Sequence, residues 1–185
     1  AADGATGVVF SVDEFGIALL KSDSGEDSFY AVRAAGSAAL VGVDGVTLTA
    51  DEMLIQANGG TTGAVDFEAT FGPAGLDIPT SASTSLALQY DSQLLSASGT
   101  VTLGISDNVL IEGNVAVTKG GTETATLDDG HTKEVSVVTV GGSGLSAFLG
   151  ADGTGISVTG AEFGLALVTP VDERDSSRYY GLTAS

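Results

Sequence analysis

Acidic side chains are the residues of this chain best suited to chemistry. Asp and Glu number 24 among 185 residues, against six Lys and Arg and one His. Three glutamates recur in the related phrases VDEFG, ADEML and GAEFG: Glu14, Glu52 and Glu162. Aspartates also mark short Asp-Gly or Asp-Asn turns: Asp44, Asp107, Asp128, Asp129 and Asp152. Ca²⁺ binds about six to eight oxygens, which carboxylates and turn carbonyls supply, so these residues are the candidate calcium ligands.

The same residues also have a purely structural interpretation. Asp and Gly tolerate positive φ, so an Asp-Gly pair between two strand patterns favours a tight hairpin turn. The glutamates stand where the strand pattern changes phase, which suits a solvated carboxylate at a β-bulge, whereas a contact between repeats is a second functional interpretation beside calcium binding. The chain has no DxDxDG loop, and GGSGLSAFL begins like the calcium nonapeptide GGxGxDxUx but lacks its Asp. Calcium ligation and turn geometry are therefore alternatives for these residues, and divalent cations are an expected ligand of so acidic a surface.

Enzyme signatures are missing from the sequence. With no Cys and a single His, His131, the chain offers no ordinary zinc site, and no GxSxG elbow accompanies that histidine. The Gly-rich pieces lack the βαβ context of a dinucleotide site. Glycosidases use a pair of carboxylates, and with 24 acidic residues the sequence spacing alone does not show whether two of them face each other. The chain has no Trp, however, to stack on a sugar ring. We therefore predict that the chain is not an enzyme.

Composition limits the class of partner. The net charge is −18, and the few basic residues form no stripe that could follow a phosphate backbone, so we predict no nucleic-acid partner. No apolar run reaches the roughly 18–20 residues of a membrane-spanning helix, so we predict no membrane span. Apolar residues make up 43% of the chain, which indicates a folded protein despite its charge.

Alternation with a period of two is the dominant local pattern. It predicts strands in SFYAVRA (28–34), VDFEATF (65–71), TSLALQY (84–90) and GTVTLGI (99–105). No helix of ten residues is indicated. The polar stretches KSDSGEDS, KGGTETAT and TPVDERDSS predict loose loops, which alternate with the tight Asp-Gly turns. The pattern predicts an all-β protein with short turns at one edge and variable loops at the other.

The chain repeats its own beginning near its end. TGVVFSVDEFGIALL aligns with TGISVTGAEFGLALV at an offset of 148, and FYAVRAA aligns with YYGLTAS at an offset of 150. We expect residues 1–185 to be a single repeat module with a period of about 150 residues, in which 149–185 restart the repeat begun at 1–35. Weaker copies of strand, turn, strand, break and strand lie inside this period, as in 36–60 and 99–121.

The breaks inside these copies change the phase of the alternation. Val46 and Leu48 are in one phase, whereas Met53 and Ile55 are in the other, as expected for a β-bulge or a corner. Two elongated repeat architectures fit: stacked long antiparallel β-hairpins, or a β-solenoid whose corners are the phase changes. The Asp-Gly turns favour the antiparallel hairpins.

Two long phrases carry a family resemblance: GSGLSAFLGADGTGISVTGAEFGLALV, and YYGLTASGSAALVGVDGVTLTA assembled across the repeat junction. They resemble the tandem β-rich repeats of giant secreted surface proteins of Gram-negative bacteria, the class that includes repeats-in-toxin adhesins. The resemblance implies export and an extracellular or cell-surface location. It also implies a structural role as a filament building block or adhesin spacer, with neighbouring copies of the same repeat as partners. The alternative function is a calcium- or glycan-binding β-sandwich module.

Overall fold

A computed structural model of the chain describes residues 6–106, 108–151 and 154–185. These residues form an all-β structure with one short helix. Its elements are β1 Gly7–Lys21, β2 Ser28–Val41, β3 Val46–Gly60, α1 Phe67–Phe71, β4 Leu76–Pro79, β5 Ser85–Leu88, β6 Leu94–Ile105, β7 Val109–Thr126, β8 Thr132–Ala151, β9 Thr154–Pro170 and β10 Tyr179–Ala184. None of the described helical segments has the length and apolar character to cross a membrane.

Eight of the strands form one antiparallel sheet. Their order is β1-β2-β3-β6-β7-β8-β9-β10, so each strand pairs with its predecessor in the main sheet. Every pairing is antiparallel. The predicted stack of long antiparallel hairpins is therefore confirmed. The β-solenoid, in which successive coils pair in parallel, does not describe this sheet.

The short turns and the long loops are distributed between the two ends of the sheet only partly as predicted. The connection 42–45 and the connection between β6 and β7 lie at one end of the sheet, here called the turn end. The connections 22–27, 61–93 and 171–178 lie at the other end, here called the loop end. The Asp-Asp-Gly turn between β7 and β8 also lies at the loop end, which the prediction did not anticipate. KGGTETAT is not a loop: a register shift between Lys119 and Thr122 is followed by further pairing with β8, because its Thr-rich end suits a strand.

Residues 61–93, here called the insert, fold back over one face of the sheet. The insert contains α1 and the β4–β5 hairpin. VDFEATF is therefore not a strand, because Asp66 caps a helix by accepting a 2.8 Å hydrogen bond from the backbone N–H of Ala69. Phe67 and Phe71 are four residues apart, so both rings lie on one side of the helix with centroids separated by 5.6 Å.

The buried core lies between the insert and the first strands of the sheet. It comprises Ala18, Ala31, Phe67, Leu86, Leu88 and Tyr90. Asn58 on β3 joins both ends of the insert, since its Nδ2 donates hydrogen bonds to the carbonyl oxygens of Val65 (2.9 Å) and Ser92 (2.8 Å). Tyr90 donates its hydroxyl to the Val32 carbonyl at 2.8 Å, and burial raises the pKa of this phenol. The insert is thus fixed to the sheet by packing and by partly buried hydrogen bonds.

β-bulges account for the predicted phase changes. The register shifts between Val12 and Glu14 on β1 and between Asp51 and Leu54 on β3. The extra residue of a bulge reverses the faces to which all later side chains of the strand point. Because the apolar-polar alternation of the sequence also changes phase at the bulge, the apolar residues on both sides of it point to the same face. β1 and β3 therefore present apolar side chains to the same side above and below their bulges.

Candidate functional site

One face of the eight-stranded sheet is apolar from edge to edge. A row of directly paired residues crosses all eight strands: Phe15, Ala34, Ile55, Ala97, Val117, Val140, Leu165 and Leu182. A second row crosses five strands nearer the turn end: Leu48, Leu103, Ile111, Ala147 and Val158. The face that carries both rows is called here the apolar face.

The opposite face has a different composition. The row next to the first one consists of Gly16, Arg33, Gln56, Ser96, Thr118, Thr139, Ala166 and Gly181. The insert covers part of this face: a Cβ added to Gly16 would lie 2.4 Å from Leu86. The protein's own core is thus built on the polar and small-residue face, and the apolar face has no cover from the described chain.

Large apolar side chains are exposed across the apolar face. Leu19 is 76% exposed, Ile156 73% and Tyr180 79%. In the described parts of the chain, all exposed large apolar side chains lie on this face except Val9, Val43, Phe71, Leu110 and Val171. Soluble monomers rarely expose a contiguous apolar patch of more than a few hundred Å², so this surface indicates an interaction.

Charge is distributed unequally between the two faces. Of the residues that pair across the described strands, Lys21, Lys119 and Glu134 are the charged ones on the apolar face, all toward the loop end. The opposite face carries more charged residues at paired positions: Glu14, Arg33, Asp51, Glu112, Glu123 and Lys133. The excess negative charge of the chain therefore lies mostly away from the apolar face. Burying charged side chains on that face in an interface would cost free energy.

The two outer strands leave one edge each without a partner in the described structure. β1 is the first strand of the sheet and β10 the last. An outer strand presents unpaired N–H and C=O groups, which can accept another strand. β1 is fifteen residues long, whereas β10 is six residues long.

The first and last hairpins share one register. Phe15 pairs with Ala34 in the first hairpin, and Phe163 pairs with Ala184 in the last, at the offsets of 148 and 150 seen in the sequence. The connection 171–178 is two residues longer than 22–27, which accounts for the difference between these offsets. The sequence match therefore corresponds to a residue-by-residue match in strand pairing.

The candidate calcium ligands that the structure describes are dispersed along and across the sheet. Glu14, Glu52 and Glu162 lie near mid-height on β1, β3 and β9, and three strands separate β3 from β9. Asp44 is in the β2–β3 turn, and Asp128 and Asp129 are in the β7–β8 turn at the opposite end. Asp107 and Asp152 lie outside the described residues. Within the described ranges, no group of three or more acidic or histidine side chains could hold a metal ion, and calcium binding stays a prediction.

The local contacts of these acids are those of turns and bulges. Asp129 accepts a 2.9 Å hydrogen bond from the backbone N–H of His131, as expected for turn chemistry. Glu52 has a positive φ of 51° at the β3 bulge. It lines a shallow groove of about 420 Å³ in which Thr100 donates a 2.8 Å hydrogen bond to Asn114. The groove contains polar side chains but only this one carboxylate.

Sequence inspection missed an ion pair at the loop end. Lys133 Nζ lies 2.5 Å from Asp175 and 3.2 Å from the Tyr179 hydroxyl, and so joins β8 to the β9–β10 connection. The hydrogen bond from Lys133 lowers the pKa of Asp175, and the same bond raises the pKa of Lys133. The two residues are 42 positions apart, so no local pattern connected them.

Comparisons with protein-family models, with curated proteins and with solved structures find no match. The functional evidence therefore consists of the open edges, the matching hairpins and the apolar face.

Proposed function

We propose that this chain is a structural repeat of a long extracellular or cell-surface bacterial protein. Its function is to build a filament or spacer in which one antiparallel sheet continues from period to period. The observation that carries the proposal is the shared register of the β1–β2 and β9–β10 hairpins. The sequence resemblance to repeats of giant secreted surface proteins supports the location, and the partners are neighbouring copies of the same repeat.

The edge of β10 supplies the joining surface. In the first hairpin, β2 pairs with β1 on one side and with β3 on the other. β10 corresponds to β2 but has β9 as its neighbour on one side only. A strand equivalent to β3 can therefore add to β10 by the same hydrogen bonds that join β3 to β2. Addition at this edge gives a directional, head-to-tail array.

The strand spacing gives the distance by which each period is expected to extend the sheet. One period contributes six strands to the main sheet, β1, β2, β3, β6, β7 and β8, before β9 repeats β1. Strands are spaced about 4.8 Å apart, so a period of about 150 residues should extend the sheet by roughly 29 Å. The strands would lie across the long axis of the filament. Acidic residues on the opposite face and in the turns would keep neighbouring filaments apart by charge repulsion.

Chains of one, two and three periods test this proposal. Small-angle scattering should show a maximum dimension that grows by about 29 Å per added period, less any shortening from sheet coiling. Oriented fibres should diffract at about 4.8 Å along the fibre axis. As a control, the same periods joined by long Gly/Ser linkers should behave as separate beads and lose that orientation. The proposal would be refuted if the directly joined chains scattered as separate globular beads and their fibres gave no reflection at about 4.8 Å along the fibre axis.

A further inference from the structure

The apolar face is large enough for a permanent interface. A strand of fifteen residues is about 50 Å long, and eight strands span roughly 34 Å, so the face covers about 1,700 Å². Two such faces in contact would remove up to about 3,400 Å² from water, within the range of obligate homodimers. Even half of that contact would equal a standard stable interface.

We propose that a second copy of this chain packs on the apolar face, with its own apolar face inward. The product is a two-layer sandwich of sheets about 10 Å apart, with the inserts on the two outer surfaces. A two-fold axis makes such a contact isologous, so a single surface serves both partners. This contact is independent of edge pairing: the edges extend one sheet, and the apolar faces join two sheets.

Charge favours a second copy over a charged or polar partner. Val117 and its paired neighbours Ala97 and Val140 lie on a face whose paired residues include one carboxylate, Glu134 near the loop end, although the chain has a net charge of −18. Packing the faces together places the acidic opposite faces on the outside, where water solvates them. The two copies still repel each other at long range, so salt should strengthen the association by screening this repulsion.

The shape of the apolar face also fits this partner. A pit of about 50 Å³ lies among Phe10, Ala34, Gly36, Met53 and Ile55, where small residues interrupt the larger ones. Large side chains stand at the outer strands, including Leu19 at 76% and Leu182 at 67% exposure. Facing sheets interdigitate large and small side chains in this way, which is how sandwich cores reach close packing.

Two neighbouring residues on β7 provide a matched pair of variants. Val117 lies on the apolar face and Ala116 on the opposite face, and both are exposed. Val117→Asp and Ala116→Asp add the same charge to the same strand. β7 is an interior strand with β8 and β9 between it and β10, so neither change touches an edge-paired neighbour.

Sedimentation of the full chain over a range of concentrations and salt should show a salt-strengthened dimer. Val117→Asp should weaken it by about a hundredfold or more, because each copy buries one unpaired carboxylate, whereas Ala116→Asp should leave it unchanged. A wild-type chain that stays monomeric overturns the proposal, as does equal association of the two variants. Val117→Asp should leave the pairing of edge strands intact. The face-to-face dimer and the filament built by edge pairing can therefore be refuted independently of each other.

Met53 gives a readout that needs no variant. It is the single methionine of the chain and pairs with Gly36 at the pit. Its oxidation by hydrogen peroxide should slow several-fold as protein concentration rises through the association range, because a sandwich excludes the oxidant. An oxidation rate independent of concentration would contradict the sandwich. So would a chain that binds phosphatidylcholine vesicles but never itself, since its apolar face would then serve lipid.

Discussion

Replacing Asn58 by Ala should detach the insert from the sheet. Asn58 is 1% exposed, and its two donated hydrogen bonds hold the carbonyl oxygens of Val65 and Ser92 at 2.9 and 2.8 Å. A hydrogen bond contributes about 0.5–1.5 kcal/mol, and a buried carbonyl left without a donor costs about 1–3 kcal/mol. Water entering the space left by the amide would recover part of the second cost. The expected loss in the free energy of unfolding is therefore about 2–4 kcal/mol.

Urea unfolding followed by circular dichroism measures this loss at one protein concentration. Asn114→Ala is the matched control, because Asn114 is exposed and accepts a single hydrogen bond from Thr100, so its loss should stay within about 0.5 kcal/mol. Limited proteolysis should also find new cleavage within residues 61–93 in Asn58→Ala before the sheet is cut. If both variants unfold alike and the insert stays resistant to protease, the assigned role of Asn58 is wrong.

Three further changes test the fold. Phe67→Ala removes a fully buried ring, and urea unfolding should show a loss of about 3–5 kcal/mol; a loss below about 1 kcal/mol would show that the insert core is not packed as described. Gly75→Ala should destabilise the protein by at least about 1–3 kcal/mol, because φ is +71° and a Cβ would lie 2.2 Å from the Leu88 carbonyl oxygen; an unchanged melting temperature would contradict this turn geometry. Lys133 lowers the pKa of Asp175 from its usual 3.8, so the pair's contribution is complete above that pH and is lost as pH falls below it. Thermal melts from about pH 5 to pH 2 should therefore fall less steeply for Asp175→Asn than for the wild type, and parallel curves would argue against the pair.

Bulges connect the sequence pattern to the proposed assembly. If the extra residue in β1 were absent, Val8 and Phe10 would turn to the opposite face while Phe15 and Ile17 stayed where they are. The apolar face would then be interrupted at its outer strand. The bulge at Val12/Glu14 thus has a defined structural effect, because it keeps both halves of a long strand apolar on one side.

Strands, tight turns and phase changes were predictable because each depends on neighbouring residues. Period-two alternation identified β2, β5 and β6, and the change of phase between Leu48 and Met53 located the β3 bulge. VDFEATF was misread because Phe67 and Phe71 satisfy an alternating pattern and a helical i, i+4 pattern equally well. Its helix was decided by the Asp66 cap and by the burial of Phe67 against Tyr90, which comes from a distant part of the insert.

The sequence by itself determined that this chain is a series of long strands with a repeated hairpin, since alternation, turn residues and internal similarity are local properties. Only the tertiary structure decided that apolar residues from all eight strands line up across one face, that the insert covers part of the other, and that the recurrent acids Glu14, Glu52 and Glu162 lie apart. The physical reason is that strand order and register join residues far apart in sequence. The faces and spacings of a sheet exist only once those pairings are made.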